Sequence, residues 1–199
     1  MSDHRSEPIA IVGIGCRFPG GCDTPSKLWE LLKDPKDLSQ EIPPDRFNVN
    51  RFYHKTGSHH GTTNVRRAYM LSEDISQFDH QFFSITPDQA AAIDPQQRLL
   101  LEVTYEAVES MGCTMEQLHG SDTAVFVGMM NNDYLVQQAL DVDFSPKYNA
   151  TGVANSNASS RVSFFFDWHG PSMVCSLLCC LDLTRYIYIY ILSLQSDDG

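Results

Sequence analysis

Apolar positions along this chain fall into short solid runs separated by helical stripes. Ile9-Ala-Ile-Val-Gly-Ile-Gly15 is an aliphatic run closed by glycines, the pattern of a strand buried on both faces. Thr24-Pro25 then supplies an N-cap and a first-turn proline ahead of Leu28, Trp29, Leu31 and Leu32, which predicts a short helix ending near Lys33. From Asp34 to Arg67, prolines, glycines and histidines outnumber any periodic signal, so this stretch is expected to run irregularly over the surface. Such length without regular structure points to a function or a partner surface rather than to a linker.

The strongest helical signal follows Asp94-Pro-Gln-Gln97. Asp94 can cap, Pro95 suits the first helical position, and Gln97 can close a capping box. Leu100, Val103, Ala107 and Met111 then share a face, and Gly112 ends the helix. Thr123-Ala-Val-Phe-Val-Gly128 reads as a second buried strand, and Gly152 to Phe166 has the small and apolar mixture of a closely packed helix. Strand, helix, strand and helix in this order predict an α/β fold with a covered sheet.

Composition narrows the class. With 199 residues, 42% hydrophobic and 20% charged, the chain suits one globular domain. Its formal net charge of -11 argues against nucleic-acid binding, which needs clustered Lys and Arg, and for a charge that serves solubility. Met1 to Pro8 is polar and charged and forms no basic lead into an apolar stretch, so a cytoplasmic protein without membrane attachment is expected. Asp182 and Arg185 likewise interrupt the apolar C-terminal stretch before it can span a bilayer. The cysteines at 16, 22, 113, 175, 179 and 180 follow no disulfide framework and are expected as thiols.

Several tempting motifs fail on spacing. Gly13-Ile-Gly15 begins like a dinucleotide fingerprint, but Phe18 stands where a third glycine belongs and Pro19 blocks the helix. The better reading is a glycine-tightened strand end. His54, His59 and His60 lack a further ligand at metal-binding spacing, and Cys175, Cys179 and Cys180 with His169 match no paired-ligand pattern for zinc. No metal and no directly bound cofactor is expected. Asp94, Glu102, Glu106 and Glu109 read as a helix cap and a solvated helix face rather than as acid/base pairs.

In order and spacing, Glu7-Pro-Ile-Ala-Ile-Val-Gly-Ile-Gly-Cys-Arg-Phe-Pro-Gly20, Trp29-Glu-Leu-Leu32, Ile42-Pro-Pro-Asp-Arg-Phe47 and Asp94-Pro-Gln-Gln-Arg-Leu-Leu-Leu-Glu102 resemble the opening of a type I polyketide β-ketoacyl synthase domain. Thr123 to Gly128 and Ser160-Arg-Val-Ser-Phe-Phe-Phe-Asp-Trp-His-Gly-Pro-Ser172 extend the resemblance to about residue 173. Phe52-Tyr-His-Lys-Thr-Gly-Ser-His-His-Gly-Thr-Thr-Asn64 is similar to the fungal highly reducing branch, which includes lovastatin-type synthases and polyketide synthase–peptide synthetase hybrids.

The resemblance implies the first half of a thiolase-like layered α/β fold, usually a homodimer. It implies decarboxylative Claisen condensation between an acyl chain on a cysteine and a malonyl thioester, in fatty-acid-like polyketide biosynthesis. Both substrates arrive on the phosphopantetheine arm of an acyl carrier protein. The chemistry asks for a thiolate at a strand-to-helix turn and two histidines that stabilise developing charge. Those histidines stand downstream of the cysteine in the family, and this chain ends before them.

Counting from Met173 places the nucleophile on Cys179, a match of position only. The family reads close to Pro-Ser-Met-Thr-Ile-Asp-Thr-Ala-Cys-Ser-Ser-Ser-Leu, whereas this chain reads Pro171-Ser-Met-Val-Cys-Ser-Leu-Leu-Cys-Cys-Leu-Asp-Leu183. Leu177, Leu178 and Leu181 replace small residues at a tight turn. Tyr186-Ile-Tyr-Ile-Tyr-Ile191 favours a strand where the family has a helix, and a TA repeat encodes the same alternation. The expectation is therefore a truncated, inactive condensing domain over residues 1–173 with a non-homologous tail over 174–199, encoded by a retained intron or a wrongly assigned exon. The alternative is a non-catalytic partner of an intact synthase. Half a layered fold leaves apolar faces uncovered, so poor solubility is expected as well.

Overall fold

A computed structural model describes residues 10–140, 143, 146–175 and 187–193, the last of these as backbone. In chain order the elements are β1 (Ala10–Arg17), α1 (Pro25–Lys33), β2 (Gln40–Glu41), α2 (Val49–Phe52), β3 (Arg67–Ala68), α3 (Pro87–Ala92), α4 (Pro95–Met111), α5 (Met115–Leu118), β4 (Val125–Gly128), α6 (Asp133–Ala139), α7 (Asn149–Val153), α8 (Asn157–Phe166), β5 (Ser172–Cys175) and β6 (Ile187–Ser193). They fall into two compact units, Met1–Cys16 with Ile75–Gly199, and Arg17–Asp74.

The larger unit is built around α4. Asp94 caps it by accepting the Gln96 N–H at 2.8 Å, Pro95 opens it, and Gly112 closes it at φ +80°. The expected stripe of Leu100, Val103 and Ala107 is buried, with Met111 half-buried, but Leu101, Thr104 and Val108 are buried too. The helix is therefore covered on two sides, and only part of its circumference is left for Glu102, Glu106 and Glu109. On one side lies β1. A Cβ at Gly13 would collide with the Ala107 carbonyl oxygen and one at Gly15 with that of Val103, so the two glycines let the strand lie on the helix backbone. This is the physical role of the Gly-Ile-Gly sequence. Burial on both faces does not hold for β1, because Ile11 and Ile14 are exposed.

On the other side of α4, Leu101 and Val108 join Val125, Ala158, Val162, Phe166 and Trp168 in one core. Phe166 stacks on Trp168 with ring centroids 4.6 Å apart. β4 and β5 pair in parallel, with Val125 opposite Ser172 and Phe126 opposite Met173, and α8 packs on them. β4 begins at Val125 rather than Thr123. β6 pairs with β1, so the Tyr-Ile alternation does form a strand.

The single helix expected from Gly152 to Phe166 is two. Ala154 adopts extended backbone (φ -69°, ψ 123°) between α7 and α8. At the break the Ala154 carbonyl accepts both the Asn157 N–H and Gln97 Nε2, each at 3.0 Å, while Gly152 brings α7 against the Ala92 carbonyl so closely that no Cβ fits.

The smaller unit holds α1, β2, α2 and β3. Thr24 Oγ1 accepts the Lys27 N–H at 3.3 Å, so the expected cap forms, yet no residue of α1 is buried and Trp29 and Leu32 are exposed. β2 and β3 pair antiparallel, Gln40 with Ala68 and Glu41 with Arg67. The remainder of the stretch from Asp34 to Arg67 is largely irregular, as its composition predicts.

Candidate functional site

Parallel strands present ligands and nucleophiles beyond their carboxyl ends. Here that edge is formed by β4 and β5, with Met129 N donating to the Cys175 carbonyl at 3.2 Å just past the paired strands. The amino end of α4 is tied to the same region. Gln96 Nε2 donates to the Asn131 carbonyl, three residues beyond β4, at 3.3 Å, and also to both carboxylate oxygens of Asp94 at 3.3 and 3.2 Å.

Asp94 is 2% exposed, and its own N–H donates to the Gly152 carbonyl at 3.0 Å. Burial pushes its carboxyl above the ordinary range, opposed by the Gln96 hydrogen bonds. Gln97 does not close the expected capping box. Its side chain is buried and links three segments instead, donating to Ala154 O and accepting from Arg161 Nε at 3.1 Å. Arg161 Nη2 reaches the Thr151 carbonyl at 3.0 Å, and burial lowers the pKa of the guanidinium, which stays charged at any working pH. The Asp-Pro-Gln-Gln and Ser-Arg-Val-Ser motifs, remote in sequence, therefore meet in one hydrogen-bonded network.

This network orients rather than reacts. It sets the amino end of α4 against the turn that launches α8 and against the segment leaving β4. Cys179, the positional candidate for the nucleophile, lies outside the described residues, as does Cys180. Cys175 is exposed and Cys113 half-buried, and neither is in a disulfide. His54 and His59 stand edge to face at 4.2 Å, with His54 Nδ1 3.0 Å from Thr56 Oγ1. His169 Nε2 lies 3.2 Å from Asp167 Oδ1. Among the described residues no cluster of His, Cys, Asp and Glu is arranged to hold a metal ion.

Comparison with known proteins decides the family. The model of the β-ketoacyl synthase N-terminal domain matches residues 6–180. The chain belongs to the β-ketoacyl synthase family. It is 64% identical over 183 residues to fusarielin synthase of Gibberella zeae, covering 92% of this chain and 7% of that protein. It is 58% identical over 196 residues to a polyketide synthase-nonribosomal peptide synthetase of Aspergillus clavatus, covering 98% of the chain and 5% of the relative. It is 52% identical over 199 residues to a lovastatin nonaketide synthase of Monascus pilosus, covering 100% and 6%. Among solved structures, an oxazolomycin ketosynthase domain of Streptomyces albus superposes with TM-score 0.75 at 30% identity, over 85% of this chain and 29% of that one. The ketosynthase from module 6 of the Bacillus subtilis bacillaene synthase gives 0.70 at 28%, over 84% and 26%. The fold is thus the thiolase-like one, and the chain spans 5–7% of these synthases and 26–29% of these ketosynthase chains.

Sequence reasoning found this ketosynthase region but missed the parts played by Gln97, Arg161 and Asn131, because long-range hydrogen bonds leave no periodic trace. It also missed α3, whose Thr86 and Gln89 form a capping box. That signal was present in the Thr-Pro-Asp-Gln sequence.

Proposed function

We propose that residues 10–173 supply the acyl-accepting side of a polyketide condensing domain, and that Cys179 stands in the nucleophile's place without the flanks that would activate it. The observation that carries this is the Asp94–Gln97–Arg161 network beside the parallel β4–β5 pair, built from the very motifs that the family match covers. In the family reaction a cysteine thiolate attacks a carrier-bound acyl thioester and releases the carrier thiol. A malonyl thioester then loses carbon dioxide, and its carbanion attacks the acyl-cysteine and frees the thiolate. The working partners are accordingly an acyl carrier protein with its phosphopantetheine arm and a second copy of the domain. The cytoplasm is the proposed location. No helix among the described residues is long and apolar enough to cross a membrane, which is compatible with that location.

Leu177, Leu178 and Leu181 put bulk where a tight strand-to-helix turn needs small residues, and the Asp-Thr-Ala and serine flanks of the family motif are absent. Incubating the chain with an acetyl or malonyl thioester and mapping modified cysteines by mass spectrometry tests this. The expected result is no preference for Cys179, whereas stoichiometric labelling there with the other cysteines spared contradicts it. The tail from Val174 is further proposed to be intron-encoded. Spliced transcripts that omit it after the Met173 codon would bear this out, and an uninterrupted frame in mature message would refute it.

A further inference from the structure

Strand β6 ends the β1–β6 sheet, so one row of its backbone N–H and C=O groups has no strand beside it among the described residues. Natural sheets protect such an edge with charged side chains, proline, a bulge or a very short strand. Ile187-Tyr-Ile-Tyr-Ile-Leu-Ser193 runs for seven residues and carries no charge and no proline. It also stands beyond residue 180, where the match to the β-ketoacyl synthase model ends, so this edge belongs to the tail of this chain and not to the family fold. The neighbouring strand is less open. Ile14 of β1 has both backbone groups held by one hydroxyl of α4, its N–H donating to Ser110 Oγ at 2.9 Å and its carbonyl accepting from the same group at 3.2 Å.

Two properties of the tail select a second copy of the same chain as the partner. The first is its alternation. Positions two apart in a strand share a face, so a Tyr-Ile repeat laid antiparallel on itself sets isoleucine opposite isoleucine and tyrosine opposite tyrosine, and does so at every second register. Like β-branched and aromatic pairs across strands are stabilising. The second is charge. Each copy carries a formal net charge of -11, yet β6 itself is uncharged, so two acidic chains can meet there without like charges between them. In the sequence Asp182 and Arg185, which balance, precede the strand, and Asp197 and Asp198 follow it. Antiparallel pairing therefore matches the acidic end of one strand with the balanced end of its partner, whereas parallel pairing matches acid with acid.

We propose that the open edge of β6 pairs antiparallel with the β6 edge of a second copy, joining two β1–β6 sheets in the order β1–β6–β6–β1. The assembly closes as a dimer, because a contact that uses the same edge on both copies leaves none for a third. Main-chain hydrogen bonds supply the contact, as in strand addition generally. The inference does not depend on whether Cys179 reacts.

The test is sedimentation velocity of the full chain over a dilution series, with proline placed at two adjacent positions of β6. Successive N–H groups of a strand point to opposite edges, so of Ile189→Pro and Tyr190→Pro one removes an N–H facing β1 and the other an N–H on the open edge. The parent is expected to be a dimer that dissociates on dilution. One proline variant should weaken that dimer at least tenfold while the amides of β1 keep the parent's hydrogen-exchange protection, and the other should lose protection in β1. A second measurement needs no variant: in the parent, alternate amides of β6 should gain protection from exchange as concentration rises, and those between them should not change. Phe126→Ser/Met173→Ser alters an exposed apolar pair on other strands and should dimerise as the parent does. A parent that is monomeric at every concentration, assembly that continues past two copies, a dimer unchanged in both proline variants, exchange in β6 that does not respond to concentration, or a dimer lost in the Phe126/Met173 variant would each overturn the proposal.

Discussion

Arg161 Nε donates to Gln97 Oε1 at 3.1 Å, joining α8 to α4 through two side chains separated by 64 positions in sequence. Gln97 is 1% exposed and its Nε2 is also engaged by Ala154 O, so the amide has little freedom to be replaced. Gln97→Ala leaves the Ala154 carbonyl with the Asn157 N–H alone and the half-buried Arg161 guanidinium with the Thr151 carbonyl alone, and the lost hydrogen bond to the charged group is worth about 1.5–3 kcal/mol. Chemical denaturation should show a loss of about 2 kcal/mol or more. Gln97→Glu keeps the acceptor for Arg161 but removes the donor to Ala154 O, and should fall between the two.

Gly13→Ala places a methyl group against the Ala107 carbonyl oxygen. Because the obstacle is helix backbone, relief requires β1 to move off α4, at a cost of about 1–3 kcal/mol. Gly21→Ala is a useful contrast, since nothing stands within 4 Å of its Cβ position and the penalty there comes from φ +71° alone. Thermal denaturation should rank Gly13→Ala as the more damaging.

Asp94 gives the folded state a pH dependence of opposite sign to that of most surface carboxylates. Burial raises its pKa in the folded chain. Its contribution to stability is therefore fully present below the ordinary carboxylate pKa and is lost as pH rises through the raised folded value. Asp94→Asn keeps an oxygen to cap the Gln96 N–H but carries no charge. Relative to the parent, the Asn variant should gain stability toward neutral pH, and the difference should shrink or reverse in acid. A parent advantage that grows with pH would show that the ionised carboxylate is the favoured form.

Much of this architecture was legible because local rules and fold agree. Thr24-Pro25, Asp94-Pro95 and Gly112 mark helix ends through capping and backbone geometry, and those ends stand where the sequence puts them. The motif resemblance added the family. What was not legible depends on contacts between distant residues: the second buried side of α4, the interruption at Ala154, and the use of Gln97 as a bridge rather than a cap. The Arg66 guanidinium over the Tyr53 ring, at 4.7 Å, was hidden differently, since the two are 13 positions apart and the pairing of Tyr53 with Thr63 brings their segments together.

Phe126 and Met173 lie opposite one another on β4 and β5 and are 61% and 51% exposed, on the face of the pair that α8 does not cover. Parallel pairs are ordinarily covered on both faces, so these side chains form an association-prone surface in the isolated chain. Phe126→Ser/Met173→Ser should raise the soluble fraction and lower binding of an apolar dye, with little loss of stability. Unchanged dye binding would show that this face is not the sticky one.

The most direct test of the ketosynthase assignment is a chimaera. Residues 1–173 of this chain are joined to the remainder of a lovastatin-type ketosynthase domain from its own cysteine motif onward, and acylation of the motif cysteine by an acyl thioester is followed by mass spectrometry. If residues 10–173 are a working condensing-domain scaffold, the chimaera should be acylated at that one cysteine, and Gln97→Ala should slow the acylation. A soluble, folded chimaera that leaves the motif cysteine unmodified would contradict the account.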